Sequence, residues 1–391
     1  MIAEELYDDL QIRWGKLQEY MAQTATGGCL LSADVNLYYM TGKVYNGYLY
    51  ISQIGEPWFF VKRPEGLEGD GVIYIRKPED FPSLFAEYGI SMPKKILMEA
   101  DELSHTDYMR LHAAFGRPDV GNATAAMREL RSVKTPWEIE QFRISAEKHA
   151  LTYSEIPECY QPGMTDLDFQ AEIERRMRKN GSMGLFRTFG ANMDIHMGSI
   201  LAGDNAEHPS PFDFALGGAG INDSLPIGAN GTELKEGMAV MVDMAGNYTP
   251  YITDMTRVYS IGELPDIAYR AHKVALAIQE EIELMAQPGV LCSELYNRAL
   301  DIAEEEGLGE YFMGTKQQAK FVGHGIGLQI NELPILTPRS WEKLKPGMVF
   351  ALEPKFVIPG VGAVGIENSY LVTETGLEKL TIFEEDIIRL D

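Results

Sequence analysis

The chain has 391 residues, a formal net charge of −24, 45% apolar and 24% charged residues. That length exceeds one ordinary core and predicts two domains, each with a globular composition. The acidic balance argues against binding to nucleic acid or to an anionic membrane surface, since both would repel it.

Cys29, Cys159 and Cys292 are widely spaced and odd in number. They form neither a metal motif nor a disulfide framework, which implies a reducing compartment. The opening MIAEELYDDL is acidic where a signal peptide would be basic and then apolar. No apolar run approaches the ~20 residues of a membrane helix. A cytoplasmic protein is expected.

Strand-like and helical patterns alternate in the first part. GGCLLSADVNLYYMTG (27–42) holds two apolar stretches around a turn, and LYISQIGEPWFFVKR (49–63) predicts a hairpin across Gly55–Pro57. GVIYIR (71–76) and KILME (95–99) are short β-rich runs. Residues 1–130 therefore predict a smaller α/β domain, without a His/Asp/Glu cluster that suggests chemistry.

Residues 131–391 predict a second, α+β domain. Thr135-Pro136-Trp137-Glu138 is a capping box with proline at the first helical position, followed by Phe142, Ala146 and Tyr153 at helical spacing. A further helix starts at Thr165, carries Phe169, Ile173 and Met177 on one stripe, and stops at Asn180-Gly181. Two more are predicted over 264–286 and 293–306, with β-like runs at 238–244, 251–258, 348–357 and 363–373. KEGMAVMVD, ending at Asp243, and KPGMVFALE, ending at Glu353, share lysine, turn glycine, methionine and a terminal acid. Such a match suggests a duplicated half-domain.

Asp243 and Asp254 flank a turn. A hairpin symmetric about positions 248 and 249 would set them directly opposite each other, with Cβ atoms ~5 Å apart on one face. Glu353 and Glu367 flank IPGVG, and symmetry about Gly360 sets them opposite likewise. Two opposed acid pairs are destabilising unless a cation lies between them, so they predict a shared cation site. His324, between glycines in FVGHGIGL, is the obvious fifth ligand. Four carboxylates and an imidazole suit two divalent ions, with Mn²⁺ foremost and Co²⁺, Zn²⁺ or Fe²⁺ as alternatives.

In order and spacing, Asp243, Asp254, His324, Glu353 and Glu367 resemble the five metal ligands of the "pita-bread" metallopeptidases, which include methionine aminopeptidase, aminopeptidase P and prolidase. TDMTR (253–257), GHGIGL (323–328) and LEP (352–354) resemble the motifs around those ligands. LRSVKTPWEIEQFR (130–143) is similar to the entry helix of the prolidase branch, and NLYYMTG (36–42) belongs to a stretch resembling the creatinase-type N-terminal domain. The resemblance implies a pita-bread catalytic domain and a homodimer. It also implies a small peptide substrate, cleaved at an N-terminal residue or dipeptide as in Xaa-Pro peptidases. Asp254 and Glu367 would bridge two ions, Asp243 would complete one, and His324 and Glu353 the other. A hydroxide between the ions would attack the amide carbonyl, with Glu353 relaying the proton.

The chain also departs from the pattern. Relatives place a histidine seven residues after the ligand histidine, where this chain has Asn331. They place another after the proline of the segment that here reads NAEHPS, where this chain has Ser210. His208, two residues earlier, is a candidate to compensate, and Asn331 and Ser210 can still donate hydrogen bonds. GIEN (365–368) stands where prolidase-type enzymes often have Arg-Ile-Glu-Asp. Two alternatives stay open beside a peptidase: hydrolysis of a non-peptide C–N bond at the same metal site, and metal-bearing binding without turnover.

Overall fold

The computed structural model describes residues 4–190, 196–212 and 214–390. The chain divides into two compact units, Met1–Arg131 and Ser132–Asp391. Among the described residues, no helix is long and apolar enough to cross a membrane.

The first unit is built on one mixed sheet in the order β4-β3-β2-β1-β5-β6. Its strands are β1 (Gly28–Leu31), β2 (Asn46–Ser52), β3 (Trp58–Arg63), β4 (Val72–Tyr74), β5 (Lys95–Met98) and β6 (Asp119–Asn122). The hairpin expected across Gly55–Pro57 is β2–β3, with Tyr50 opposite Trp58. Helices α1 (Glu4–Gln23), α2 (Asp34–Thr41), α3 (Phe81–Glu87), α4 (His105–Ala114) and α5 (Ala123–Ser132) complete it. An aromatic core forms where Tyr50, Phe60, Phe81, Phe85 and Phe115 meet.

The second unit opens with α6 (Pro136–Ser154). Thr135 Oγ1 accepts from the Glu138 amide and the Glu138 carboxylate accepts from the Thr135 amide, so the capping box closes in both directions. Helices α7 (Asp166–Lys179), α8 (Asp266–Met285) and α9 (Cys292–Glu305) pack against three sheets. A four-stranded sheet runs β17-β9-β8-β7, a five-stranded sheet runs β11-β10-β12-β15-β16, and β13-β14 form a ribbon. These strands are β7 (Gly198–Ala202), β8 (Met238–Gly246), β9 (Thr253–Ile261), β10 (Gly323–Gly325), β11 (Glu332–Leu336), β12 (Val349–Leu352), β13 (Lys355–Ile358), β14 (Gly362–Gly365), β15 (Asn368–Val372), β16 (Leu377–Lys379) and β17 (Ile388–Leu390).

The short sequence repeat corresponds to a repeat in geometry. Gly237 and Gly347 have φ of 84° and 86°, a conformation that glycine adopts without steric cost. Each donates its amide to the last part of a partner strand, Gly237 to Ile261 O and Gly347 to Val372 O, both at 2.8 Å. The helix entries match as well: Leu234 bonds Met164 O as Leu344 bonds Val290 O, both at 2.9 Å. Each half thus presents one two-stranded arm toward the same place.

Candidate metal centre

Asp243 lies on β8 and Asp254 on β9, but they are not directly opposed as the turn symmetry predicts. Asp243 pairs with Thr256, and Asp254 with Ala245. The two acids are diagonal neighbours that still share a face, because residues two apart on a strand point the same way. The expectation failed because the turn is shaped by distant residues. Ser145 on α6 bonds Gly246 O and the Tyr248 amide, Thr249 reaches Gln141 O, and the Ile252 amide reaches Gly327 O. These anchors lengthen the loop and shift its centre by one residue.

For the second arm the register agrees with symmetry about Gly360. Leu352 pairs with Asn368 and Lys355 with Gly365, so Glu353 and Glu367 fall opposite each other between those pairs. The predicted long strands both break here. Pro354 has no amide to donate, and the chain changes partners: Glu353 N bonds Val322 O, and Glu367 bridges to Thr256 on β9. Both glutamates therefore sit where the three sheets meet. His324, on β10 between Ile335 and Ala351, comes to the same point.

Ligand atoms of Asp254, His324 and Glu367 lie within 4.8 Å of one another, and so do those of Asp243, Glu353 and Glu367. Glu367 belongs to both groups, which suits the bridging role implied by the resemblance. His324 Nε2 is 3.7 Å from Asp254 Oδ2 and 3.4 Å from Glu353 Oε1. Glu367 Oε2 accepts from Thr256 Oγ1 at 2.6 Å, whereas its buried Oε1 has no hydrogen-bond partner among the described residues.

One residue at this centre was not anticipated. Lys355 Nζ donates to Asp243 Oδ2 at 2.9 Å, Glu353 Oε2 at 2.7 Å and Glu367 Oε2 at 3.0 Å, and its side chain is fully buried. The sequence signal was there: Lys355 is two residues past Glu353 and must share its face. Burial disfavours this ammonium, but the three carboxylates outweigh it and hold the Lys355 pKa well above the ordinary value. The electrostatics then divide the site. Burial raises the Glu353 carboxyl, but Lys355 and His324 outweigh that and bring it below its usual range. Burial pushes Asp243 up to about 6 despite Lys355. Asp254 is raised well above the usual range by burial and by the charges of Glu367, Asp243 and Glu353. Burial opposes the imidazolium of His324, yet the bond and charge of Glu353 prevail and push it up to about 9.

The donor chemistry therefore fits a divalent ion best on Asp254, His324 and Glu367. That group contains Asp254, an acid whose charge is poorly compensated, and shares with the other the unpartnered oxygen of Glu367. The other group already holds an ammonium.

Residues 140–374 match the model of metallopeptidase family M24, and residues 13–133 match the creatinase/prolidase N-terminal domain. The chain belongs to metallopeptidase family M24. Its fold is that of the M24 pita-bread domain preceded by a creatinase-type domain. Family membership implies divalent metal ions. An Xaa-Pro dipeptidase of Pyrococcus furiosus is 26% identical over 380 residues, covering 96% of this chain and 99% of that one. A probable dipeptidase PepE of Mycobacterium tuberculosis is 32% identical over 256 residues, 65% of this chain and 60% of that one. The solved Xaa-Pro dipeptidase of Bacillus anthracis superposes with a TM-score of 0.79 at 25% identity, covering 97% of this chain and 100% of that one.

The accessory positions of this M24 chain are engaged in hydrogen bonds elsewhere in the fold. Asn331 faces the backbone of Phe189: its Oδ1 accepts from the Phe189 amide at 2.6 Å, and its Nδ2 donates to Phe189 O at 2.9 Å. Gln329 Nε2 reaches Thr188 O and the Ile330 amide reaches Arg187 O, so residues 329–331 clamp residues 187–189. Ser210 Oγ donates to Pro226 O, sixteen residues on, at 3.2 Å and accepts from the Phe212 amide at 3.2 Å in a local turn. His208 is exposed. His208 and Ser210 line a cavity of about 220 Å³ with Phe212, Phe214, Gln318 and Lys320, and the lining includes none of the five predicted ligands. Asn368, in place of an acid, accepts from Arg257 at 2.9 Å and donates to Gln279 and Glu385 at 2.9 and 2.8 Å. A carboxylate could not make those two donations.

Proposed function

We propose that this protein is a divalent-metal-dependent hydrolase of the prolidase and aminopeptidase P type. It would cleave a small peptide at the amide of an N-terminal residue or dipeptide, with Xaa-Pro bonds as the first substrates to try. The convergence of Asp254, His324 and Glu367, with Glu367 Oε1 unpartnered in a buried setting, carries this reading. The named dipeptidase activities of the relatives support the substrate class. An ion held there, Mn²⁺ before Co²⁺, Zn²⁺ or Fe²⁺, supplies Lewis-acid polarisation of the carbonyl and makes water acidic enough to react at neutral pH.

The chain's own residues supply the rest. Glu353 is the proton relay: Lys355 holds its Oε2 and keeps it ionised, and Oε1, 3.4 Å from His324 Nε2, is the oxygen placed to take up and pass on a proton. Thr256 fixes the Glu367 carboxylate from below. Ser369 Oγ accepts from the Asp254 amide and donates to Asp254 O, both at 2.9 Å, and so positions that acid. Three buried free cysteines support the cytoplasmic, reducing compartment, and a homodimer is part of the proposal by family analogy.

A second reading, a non-peptide C–N substrate on the same residues, is favoured by Asn331 and Ser210, whose polar atoms are engaged with backbone. One experiment addresses both. Metal-stripped protein reconstituted with Mn²⁺ or Co²⁺ is offered a library of dipeptides and tripeptides, and release of free amino acids is measured. Hydrolysis that depends on added metal and is lost in Asp254→Ala is the expected result. Full hydrolysis without metal would sink the metal-dependent reading, and cleavage of other amides with no peptide turnover would select the second.

A further inference from the structure

Lys355 brings a cation of the chain's own into this centre. An ammonium has three protons to donate, and all three find carboxylate oxygens at 2.7–3.0 Å. The position allows the side chain little choice. Lys355 begins β13 two residues after Glu353, so the strand itself turns it toward the acids. The alternative, an ammonium on the opposite buried face, would leave a charge without partners.

The residue opposite makes the room. Lys355 pairs with Gly365, whose φ is 146°. A Cβ at 365 would collide with Pro354 O and come within 2.7 Å of Lys355 Cα and 3.3 Å of its Cγ. The glycine and the lysine are thus one structural unit.

We propose that the Lys355 ammonium permanently takes the place of one of the two ions expected at an M24 centre, so that this chain binds a single divalent ion, on Asp254, His324 and Glu367. The proposal rests on the metal-dependent reading above and narrows it. Any cation bound by Asp243, Glu353 and Glu367 together would share its three ligands with the ammonium and meet its charge at contact distance. The remaining group shares only Glu367 with the ammonium, through Oε2, and Glu367 Oε1 has no hydrogen-bond partner among the described residues.

The test is metal stoichiometry, not turnover. The full chain is stripped with a chelator, dialysed against graded Mn²⁺, and analysed for bound manganese and for its Mn²⁺ electron paramagnetic resonance spectrum. The wild type is expected to saturate at one ion per chain with an uncoupled spectrum. Lys355→Met is expected to take two, with exchange coupling between them, and Lys355→Arg to stay at one. Two coupled ions in the wild type would overturn the role of Lys355 and leave the metal-dependent reading standing. A Lys355→Met protein that folds and still takes one would also overturn it. No bound manganese in the wild type would overturn both. If Lys355→Met fails to fold, the wild-type and arginine measurements still decide.

Discussion

Replacing Asp254 by asparagine should stabilise the metal-stripped protein while removing its ability to hold an ion. Asp254 is a buried acid without contact to Lys355, and its ligand oxygen lies within 4.8 Å of one on Glu367. Two unit charges at that separation repel by about 3.5 kcal/mol at an effective dielectric constant of ~20. The carboxyl can escape this by holding a proton, and its raised pKa shows that direction. Escape has its own cost. An acid whose folded pKa lies above its unfolded value binds more protons folded than unfolded, so stability falls as pH rises from about 4. His324 at 3.7 Å offsets part of the repulsion. Asparagine keeps the shape and the backbone bonds to Ser369, and its amide can donate toward Glu367 Oε1. The variant should therefore gain about 1–4 kcal/mol at pH 7, read as a higher urea midpoint after chelation. Its advantage should shrink as pH falls toward 4. Added Mn²⁺ should stabilise the wild type and leave the variant unmoved. A stripped Asp254→Asn protein that unfolds at lower urea than the stripped wild type at pH 7 would refute the charge argument.

Two other outcomes are expected. Asn331→Ala removes both bonds to the Phe189 backbone, together worth about 1–3 kcal/mol locally. Hydrogen exchange at the Phe189 amide should accelerate by about tenfold or more with metal stoichiometry unchanged, and an unchanged rate would remove the clamping role. His149, fully buried with Nδ1 3.0 Å from Thr253 Oγ1, is held at about 3 by burial and by the charge of Arg257. Its unfolded value is about 6.5, so stability is fully present above that pH and is lost as pH falls toward 3, by up to about 1.4 kcal/mol per pH unit. His149→Gln should flatten the fall in urea midpoint between pH 6 and 4, and an unaltered slope would contradict the assignment.

What could be read from the sequence was what local chemistry determines. Thr135 and Glu138 close their capping box because both partners lie within one turn, and Gly237 and Gly347 mark matched turns because their φ admits few other residues. The acids were legible as a set because the observed register differs from the expected pairing by two residues, which keeps both Asp243 and Asp254 on one face. The first register was not legible: the turn after Gly246 takes its length from Ser145, Gln141 and Gly327, which no local pattern connects to it. The break at Glu353-Pro354 was hidden for a related reason, since strands that change partners still read as one apolar run. Ser210 and Asn331 were judged by position in a motif, whereas their hydrogen bonds depend on Pro226 and Phe189, which are distant or unpatterned.

The lysine changes what the acids mean for folding. Four carboxylates gathered in a dry place need positive charge before the chain can close around them. In a site built only for metals, that charge comes from solution, and the empty protein bears the repulsion. Here part of that charge is supplied by the chain itself, since Lys355 contacts Asp243, Glu353 and one oxygen of Glu367. Only Asp254 and the other oxygen of Glu367 still call for an external cation, with His324 as their partial substitute. Folding and metal loading are thereby separated: one half of the centre is settled by the chain itself, and the half that remains is the one whose occupancy can vary without cost to the rest. Gly365 belongs to the same arrangement, because the backbone space it leaves is what lets the internal cation lie against its strand.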